Sequence, residues 1–559
     1  MGLISNIKNS LRYANLKEMS DFSDPRYYYT FLSNKNLINS LTSIGRIMEG
    51  VDKIDFKSDQ GDRILFFSLK GWVQHTIWEA LIAHGLILRG CQCKFIICDG
   101  SLPICDFKNY HYYKSIKTWC STCYHSQKIL LEKFKLPYDS ISQYISKNER
   151  RQIAALLKQS TNLDDIILNG HNLASIVEPS LLRFLLKGSL DNSKEDQSFK
   201  RNFIESAAIL DKVHQNALDL INPDVVFCVN GLFFGERLAL LQARQRGKRV
   251  VTYERSPNRK NAVILSHNKP VVEIDLTALW EQVVTWPLTP KQEAEIDRFI
   301  NSRIAGNTGC VSYMNAPRNN VAELYNILTL SPEKKTAVLF TNVLWDTAIY
   351  KKDLHFKDMR EWVCKTIDYF VKNPQFQLII RIHPAEIKVK SSETREKVGD
   401  ILKQKYPRLP KNICIIYPDQ DINSYLLLEA GNLVLVYTTT LGLEAATRGI
   451  PVIVSANTHY RGKGFTFDIS SNEEYYPMLS NLLQREGKIS DEWVNLARKY
   501  LYFFFYRYSI IYDAVDEPYL GLTGQFKIKN IHDLAPGRDK NFDLICDGII
   551  SGKEFFLFD

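Results

Sequence analysis

Short apolar runs that alternate with helix-patterned segments constrain the fold of this chain more than any other feature of its sequence. Residues 63–69 form such a run, residues 72–88 carry a helical pattern, and residues 93–98 form the next run. Strand, helix and strand within about 35 residues predict a βαβ unit, whose buried parallel strands read as continuous apolar runs. Because the pattern returns at residues 224–253, we expect an α/β domain with a parallel sheet.

A second series of the same kind follows in the C-terminal half. Its apolar runs, predicted as strands, lie at residues 335–340, 377–381, 413–416, 433–437 and 451–454. Helical patterns at residues 359–371 and 441–448 separate some of these runs. The alternation predicts a second doubly wound sheet, and two Rossmann-like domains in tandem predict a ligand cleft beyond the carboxyl ends of the strands.

These two series predict how the chain is divided. The expected segments are an N-terminal helical segment 1–60, a Rossmann-like domain 61–275 with a helical insertion at about 126–220, a connector 276–333, a second Rossmann-like domain 334–484 and a helical tail 485–559. The connector is less regular in sequence and holds Pro287, Pro290 and Pro317. The tail is rich in aromatic residues, which most often pack on a core.

Charge and cysteine content exclude several classes of protein. The 559 residues include 71 Lys+Arg and 62 Asp+Glu, a net charge of +9. No block of five or six like charges occurs, so no nucleic-acid partner is expected, although a basic surface facing an anionic substrate or membrane remains open. Eleven cysteines are too few for a disulfide scaffold, and no secretory signal is recognised, so we expect a cytoplasmic protein.

Membrane spanning is not expected, because the longest strongly apolar uncharged stretch, between Glu429 and Glu444, has only 14 residues. Near the N-terminus, four apolar residues lie at helical spacing with basic residues nearby. They are Leu3, Ile4, Ile7 and Leu11, beside Lys8, Arg12 and Lys17. We favour a helix packed on its own domain, with an interfacial membrane helix as the alternative.

The first candidate ligand-binding residues follow the strand that ends at Ile380. Pro384 biases His383 toward an extended backbone, so the imidazole is aimed toward the predicted cleft. A histidine there can donate a hydrogen bond to a phosphate oxygen, and Arg381 can add charge. The alternative is that His383 only caps the turn. The position of His383 after a strand of the second predicted sheet favours the phosphate contact.

Three hydroxyl residues, Thr438, Thr439 and Thr440, follow the strand 433–437 and precede a predicted helix. Such residues can cap the helix, and the N–H groups exposed there can bind phosphate. Glu444 lies one turn into the helix, where its carboxylate can reach ribose hydroxyls or complement the helix dipole.

A glycine-containing loop further along carries Arg461 and Lys463. The two cations suit an anionic ligand or acceptor, and the loop can equally be a solvated turn.

The cysteines cluster between Cys91 and Cys123. Cys120 and Cys123 have metal-ligand spacing, and Cys98, Cys105 or His125 could complete a structural zinc site. Because a second Cys-x-x-Cys pair is absent, buried thiols are favoured over zinc.

Several of these motifs together resemble the bacterial capsule polysaccharide biosynthesis glycosyltransferases. The motifs are Arg381-Ile-His-Pro-Ala-Glu386, Ser424-Tyr425, Tyr437-Thr-Thr-Thr-Leu-Gly-Leu-Glu-Ala445, Gly449-Ile-Pro-Val452 and Tyr460-Arg-Gly-Lys-Gly-Phe465. This family consists of GT-B enzymes related to the capsular Kdo transferases and, more distantly, to bacterial sialyltransferases with His-Pro motifs. The likeness is best over residues 335–470 and looser in the N-terminal half, where it includes Asn230 and Gly231.

The resemblance implies transfer of a sugar from a nucleotide donor in the C-terminal domain to a glycan or lipid-linked acceptor in the N-terminal domain. By analogy, His383 and Thr438 to Thr440 would contact the donor phosphate, with a CMP-linked sugar such as Kdo expected. Arg381 and Glu444 are the further candidates for binding the donor nucleotide. Hydrogen bonds and a helix dipole can stabilise the leaving phosphate, so no cofactor or catalytic metal is expected.

The predicted N-terminal side must supply a base for the acceptor hydroxyl if the reaction inverts the anomeric centre. Asp99 and Glu254 are the candidates, although Asp99 before Gly100 is also typical of a plain turn. Asn230 is a candidate acceptor contact.

Two other functions remain open from the sequence. One is a non-hydrolysing nucleotide-sugar epimerase, and the other is a non-catalytic scaffold of a glycan assembly complex. For the glycosyltransferase we expect a place in the cytoplasm or at the inner face of the cell membrane.

Overall fold

The structure is a computed structural model, and it describes residues 37–558 except 38, 54–60, 192, 258, 307–319, 390–391, 487–488 and 518–523. The apolar pattern at residues 3–11 lies outside the described residues. Among the helices that are described, none is both long enough and apolar enough to span a membrane.

The first domain is built on a seven-stranded sheet and carries a small separate hairpin. Its elements are β1 (Arg63–Ser68), β2 (Gln92–Ile97), β3 (Tyr138–Ser140), the hairpin β4 (Ile167–Leu168) and β5 (His171–Asn172), β6 (Val225–Val229), β7 (Arg249–Arg255) and β8 (Ala262–His267). A strand from the tail, β15 (Ile510–Ile511), completes the sheet in the order β15-β8-β7-β6-β1-β2-β3. The strands from β7 to β3 run parallel, as buried apolar runs predict, while the pairings of β7 with β8 and of β8 with β15 are antiparallel.

Six α-helices lie between β1 and β7 in the described part of the chain. They are α1 (Val73–Ile87), α2 (Ile116–Lys133), α3 (Lys147–Gln159), α4 (Leu173–Leu185), α5 (Lys194–Ile221) and α6 (Phe234–Gln245). The long helix α5 starts where Ser193 accepts a hydrogen bond from the N–H of Asp196, and it ends at Asn222 in a left-handed conformation. The region predicted as a helical insertion also contains β3, which pairs with β2 in the main sheet.

The segment expected to be an irregular connector is helical over much of its described length. It contains α7 (Thr277–Val283), α8 (Pro290–Ile304) and α9 (Val321–Leu328). Pro290 occupies the first turn of α8 and Thr289 accepts a hydrogen bond from the N–H of Gln292. A proline there loses no helical hydrogen bond, so Pro290 marks the beginning of a helix rather than a loop.

The second domain contains a six-stranded sheet in which every pairing is parallel. Its strands are β9 (Thr336–Phe340), β10 (Gln377–Arg381), β11 (Ile413–Ile416), β12 (Leu433–Val436), β13 (Val452–Val454) and β14 (Phe467–Asp468), in the order β11-β10-β9-β12-β13-β14. Its helices are α10 (Met359–Lys372), α11 (Ala385–Lys388), α12 (Val398–Lys405), α13 (Ser424–Ala430), α14 (Leu441–Ala446) and α15 (Asn472–Gln484). The predicted fold class, α/β with two Rossmann-like domains, is confirmed.

The tail returns from the second domain to the first. Helix α16 (Asp491–Tyr502) continues into a π-helical segment, Phe503–Tyr508, and is followed by β15 and later by α17 (Lys540–Ser551). Phe503, Phe504 and Phe505 are at most 2% exposed and belong to the core under the second sheet. Helix α17 packs on α1 at Gly85, where a Cβ atom would lie 2.3 Å from the ring of Phe542.

The two domains also meet directly. The Glu396 carboxylate accepts hydrogen bonds from the N–H groups of Gly188, at 2.8 Å, and Ser189, at 3.1 Å, just beyond α4. The hydroxyl of Tyr350, on the segment that follows β9, donates to Glu178 of α4 at 2.7 Å. These bonds hold α4 against the edge of the second sheet where its parallel strands end.

Candidate active site

The central strands β9, β10 and β12 of the second sheet end side by side. The residues that follow these strands therefore lie close together. Phe340 at the end of β9 is paired with both Arg381 of β10 and Val436 of β12. The N–H of His383 donates to Thr341 Oγ1 at 3.0 Å. Ligands of doubly wound domains bind at such an edge, so the three segments form the candidate site.

The imidazole of His383 has a defined tautomer. Its Nδ1 accepts a hydrogen bond from the N–H of Ala385 at 3.1 Å, so in the neutral ring the proton is on Nε2. Burial lowers the pKa of His383 to about 4, and the positive charge of Arg381 adds to the effect. The half-buried ring is therefore neutral near pH 7 and offers Nε2–H as a donor.

The threonines after β12 supply further polar groups. Thr438 is 8% exposed, and its Oγ1 has no hydrogen-bond partner among the described residues. Its N–H donates to Asn342 Oδ1 at 3.4 Å, so the segments after β9 and β12 are linked. Thr439 is held by Tyr460, whose hydroxyl donates to the Thr439 carbonyl at 2.6 Å. Thr440 directly precedes α14 and makes no side-chain cap bond.

Glu444 does not suit the expected ribose contact. Its side chain is fully buried and forms an ion pair with Arg303 of α8, with Arg303 Nη2 at 3.0 Å. Tyr425 also donates to this carboxylate. The carboxylate therefore joins α14 to α8 in the interior, and the prediction that it binds the nucleotide is not supported.

Arg381 lies buried beneath the candidate site. It is 1% exposed, and its guanidinium donates to the carbonyls of Tyr417, at 2.8 Å, and Gln420, at 3.3 Å. These bonds hold the loop after β11, and burial lowers the pKa of Arg381 to about 10. These bonds join β10 to the loop after β11, and the contact of Arg381 with the nucleotide stays a prediction.

The two cationic side chains of the glycine-containing loop, Arg461 and Lys463, donate hydrogen bonds to other parts of the protein. Arg461 donates to the carbonyls of Val454, at 3.1 Å, and Ile469. Lys463 Nζ donates to Thr277 Oγ1 of α7 at 2.7 Å. The loop thus connects β13, β14 and α7, and the expected anion contact is not supported for either side chain.

The first sheet brings together two of its three candidates. Asn230 after β6 donates from Nδ2 to Glu254 Oε2 on β7 at 3.0 Å. Asp99 follows β2, which is separated from β6 by β1, and its Oδ1 accepts the N–H of Ser101 at 3.3 Å. Asp99 therefore forms a side-chain turn with Gly100 at φ 79°, as the alternative interpretation of this residue predicts.

A buried ionic cluster after β1 was not identified from the sequence. Lys70 Nζ lies 3.0 Å from Glu236 Oε2 and 3.2 Å from Asp106 Oδ1, and Ser180 donates to Asp106 at 3.0 Å. The only sequence signal is a lysine directly after an apolar strand. Its partners are distant in sequence, so their pairing follows from the fold alone.

Two neighbouring cavities of about 310 and 300 Å³ lie between the domains. Both are lined by Pro179 of α4 and by Thr347, Tyr350 and Lys351 from the segment after β9. The residues that line the first cavity also include Leu232, Arg237, Glu273 and Lys352. Because Leu232 follows β6 and Thr347 follows β9, the carboxyl ends of both sheets border the same cleft.

The first cavity is predominantly basic. Arg237, Lys351 and Lys352 line it together with a single acidic residue, Glu273, which pairs with Arg237 at 3.4 Å. Lys351 has a φ of 53°, a left-handed conformation that is uncommon for residues other than glycine. This turn brings two successive lysines to the cavity, where an acidic ligand would be attracted.

Four of the clustered cysteines line a small apolar cavity. Cys98, Cys105, Cys120 and Cys123 line a space of about 20 Å³ with Lys108 and Trp119 at its border. Burial raises the pKa of all four thiols. Within the described ranges, no group of three or more His, Cys, Asp or Glu residues is arranged to hold a metal ion. The zinc alternative is therefore not supported, and the cysteines are partly or fully buried thiols.

One family model matches part of the chain. Residues 320–478, just over a quarter of the chain, match the family described as capsule polysaccharide biosynthesis protein. The match contains β9 to β14 and every candidate residue of the second sheet. No curated protein matches the chain significantly.

Solved structures are similar only at a low level. A KpsC beta Kdo 2,4 transferase of Thermosulfurimonas dismutans is 16% identical, with 56% of this chain and 87% of that chain covered and a TM-score of 0.33. The KpsC beta Kdo 2,7 transferase of the same organism is 18% identical, with coverages of 52% and 79% and a TM-score of 0.31. A UDP-GlcNAc 2-epimerase of Neisseria meningitidis is 12% identical, with coverages of 79% and 98% and a TM-score of 0.21. Likenesses this weak assign no activity to the chain.

Proposed function

Because residues 320–478 belong to the capsule polysaccharide biosynthesis protein family, we propose that this chain is a glycosyltransferase of capsule synthesis. It would transfer a sugar from a nucleotide donor to a growing surface polysaccharide or glycolipid. The observation that carries the proposal is the pair of polar groups at the edge of the second sheet, the Nε2–H of His383 and the unpartnered Oγ1 of Thr438. Both can donate hydrogen bonds to a phosphate oxygen.

The chemistry of transfer explains why such groups are useful. Breaking the bond between the sugar and the nucleotide phosphate leaves negative charge on the phosphate. Preorganised donors that meet this charge as it develops stabilise the transition state more than the substrate. The N–H of His383 donates to Thr341 Oγ1 and its imidazole accepts the N–H of Ala385, so the ring needs no reorientation to act in this way.

We assign the donor to the CMP-linked acidic sugars, of which Kdo is one. The sequence resemblance suggests this class, and the basic cavity supports it. A sugar carboxylate that extends from the phosphate site toward the first domain would meet Lys351 and Lys352. The acceptor would enter from the side of the first sheet, where Asn230 and Glu254 lie.

We also propose that transfer requires no metal ion and occurs on the cytoplasmic side of the membrane, with a lipid-linked acceptor. The neutral donors at the phosphate site support the first statement. The ten described cysteines are all free thiols, which suits a reducing compartment. Activity that persists in excess EDTA would agree with a metal-free reaction.

The test of the proposed function starts with binding. Thermal shift with CMP, UDP, GDP and their sugars should show stabilisation by CMP and by CMP-linked sugars. The absence of stabilisation by any nucleotide would refute an enzyme that uses nucleotide-sugars and favour a scaffold. Product analysis with a capsular oligosaccharide then separates transfer from epimerisation, because only transfer lengthens the acceptor.

A further inference from the structure

A hydrogen-bonded chain of side chains leads from the carboxyl edge of the first sheet into its interior. His75 Nδ1 lies 3.0 Å from the hydroxyl of Tyr253, and that hydroxyl donates to Glu79 Oε1 at 3.0 Å. The second oxygen of Glu79 accepts a hydrogen bond from Ser68, whose Oγ accepts one from Gln127 at 2.6 Å. Tyr253 and Glu79 are at most 2% exposed, whereas His75 is half-buried.

The outer end of this chain lies where the acceptor is expected. His75 is in the first turn of α1, directly after β1, and β1 lies beside β6 in the sheet. Leu232, which follows β6, lines the cavity between the domains. Charged groups around the imidazole are Glu254 and Arg255 from β7 and Lys70 from the segment after β1.

The hydrogen bonds determine which nitrogen of His75 can act. When Glu79 is ionised, the Tyr253 hydroxyl donates its proton to Glu79 and therefore accepts a hydrogen bond from His75 Nδ1–H. The lone pair of the neutral imidazole is then on Nε2. No partner for this nitrogen is found among the residues that the structure describes, so it can accept a proton from a substrate hydroxyl.

We propose that His75 is the general base of the transfer, and that Tyr253 and Glu79 carry the proton onward. This inference rests on the proposed function. The acceptor O–H proton moves to His75 Nε2 as the acceptor oxygen bonds to the anomeric carbon and the nucleotide phosphate leaves with the electrons of the broken bond. The Nδ1 proton passes to Tyr253, and the Tyr253 proton passes to Glu79 Oε1, so no charge is left on the imidazole.

The protonation equilibria of the two ends suit this direction. Burial lowers the pKa of His75 to about 4, so an imidazolium is unfavourable there. Burial raises the pKa of Glu79 to about 8, so the ionised carboxylate that takes the proton predominates only above that pH, and kcat should rise as the pH increases through about 8. A histidine that passes its second proton to such a carboxylate acts as a stronger base than its own pKa indicates.

The two candidate bases suggested by the sequence, Asp99 and Glu254, are less suitable. Both oxygens of Glu254 are occupied, Oε1 by the N–H of Arg255 at 2.9 Å and Oε2 by Asn230. Asp99 is held in a turn after β2, and β1 lies between β2 and the strands β6 and β7 that carry Asn230 and Glu254. Glu254 is better assigned as a positioning residue whose negative charge favours proton uptake by His75.

Three variants test the proposal with the nucleotide-sugar that the wild type turns over fastest and a capsular oligosaccharide acceptor. His75→Asn can keep a bond to Tyr253 but has no atom at the Nε2 position, and kcat should fall about 100- to 10,000-fold. Tyr253→Phe keeps the buried ring and interrupts the proton path. Glu79→Gln keeps an acceptor for Tyr253 but does not take the proton. The last two should lower kcat at least tenfold and leave the donor KM within about twofold.

The controls distinguish this proposal from the proposed function. His532→Asn makes the same change at an exposed position and should behave as wild type. Calorimetry with CMP should give the same Kd for His75→Asn and wild type. Wild-type-like kcat in His75→Asn would overturn the base assignment alone, as would a large loss confined to Asp99→Asn. A wild type that binds no nucleotide would overturn the proposed function and this inference together.

Discussion

His383 allows a sharp test because its two nitrogens have different tasks. Nδ1 accepts the N–H of Ala385, which is a structural bond, and Nε2 is the proposed donor to the phosphate. His383→Asn can keep an acceptor near the Nδ1 position and lacks a group at Nε2. His383→Gln places an amide near the Nε2 position and loses the local acceptor. The pair therefore separates the two tasks within one side chain.

The magnitudes follow from the two bonds. Loss of one preorganised donor to a developing oxyanion costs about 2.7–4 kcal/mol, so kcat of His383→Asn should fall about 100- to 1000-fold. The stability of this variant should stay within about 0.5 kcal/mol of wild type. His383→Gln should lose about 1 kcal/mol of stability, because the Ala385 N–H is left without its partner, and should retain more activity than the Asn variant.

The assay measures both properties on the same preparations. Initial rates of nucleotide release at saturating donor give kcat, and urea unfolding gives the free energy of unfolding. The reasoning is refuted if His383→Asn retains near-normal kcat, or if its activity falls only in proportion to its folded fraction. An activity order with Gln below Asn would show that Nδ1, and not Nε2, matters for the reaction.

Four further predictions concern other parts of the molecule. Lys70→Met should cost about 3–5 kcal/mol in urea unfolding, since it leaves two buried carboxylates without a cation; a loss below 1 kcal/mol would contradict a charged cluster. His214 is fully buried with a pKa lowered from 6.5 to about 3, so its unfolded form alone binds a proton at pH 5, and stability is lost as the pH falls below 6.5. His214→Leu should therefore lose about 2 kcal/mol less than wild type between pH 7 and pH 5 in unfolding experiments, and an unchanged pH dependence would exclude His214 as a source of acid sensitivity. Lys352→Met should weaken binding of a CMP-linked acidic sugar about tenfold in calorimetry while CMP itself binds as before, and equal weakening of both would show that the lysine contacts the nucleotide. Glu444→Gln should reduce stability by weakening the pair with Arg303 and leave the Kd for CMP unchanged, whereas a weaker Kd at full stability would restore the ribose contact.

Some of these residues could be placed from the sequence and others could not. His383 and Thr438 each follow an apolar run, and in a parallel sheet the residues after neighbouring strands meet at one edge. Glu444, Arg461 and Lys463 have the same types of side chain and similar local positions, yet they bond within the protein. Sequence does not distinguish the two outcomes, because the partner that decides each one belongs to a distant segment.

The proton path in the first domain shows the same limit more strongly. His75 and Glu79 are one helical turn apart, a spacing common in any helix, and Tyr253 is separated from them by more than 170 residues. Only the pairing of β1 with β6 and of β6 with β7 brings the three together. The connection is a property of strand order, and strand order leaves no local pattern in the sequence.

The sequence by itself determined the parallel strands of both sheets and the edge at which we propose that ligands bind, because burial on both faces requires continuous apolar strands and parallel strands end together. Tertiary structure decided which polar residues at that edge are available to a ligand. A charged side chain removed from water is stable only with partners of complementary charge or hydrogen-bonding groups, and the fold alone decides whether those partners are present. Arg303 forms an ion pair with Glu444 in this way. Nε2 of His75, by contrast, has no partner among the described residues and can accept a proton.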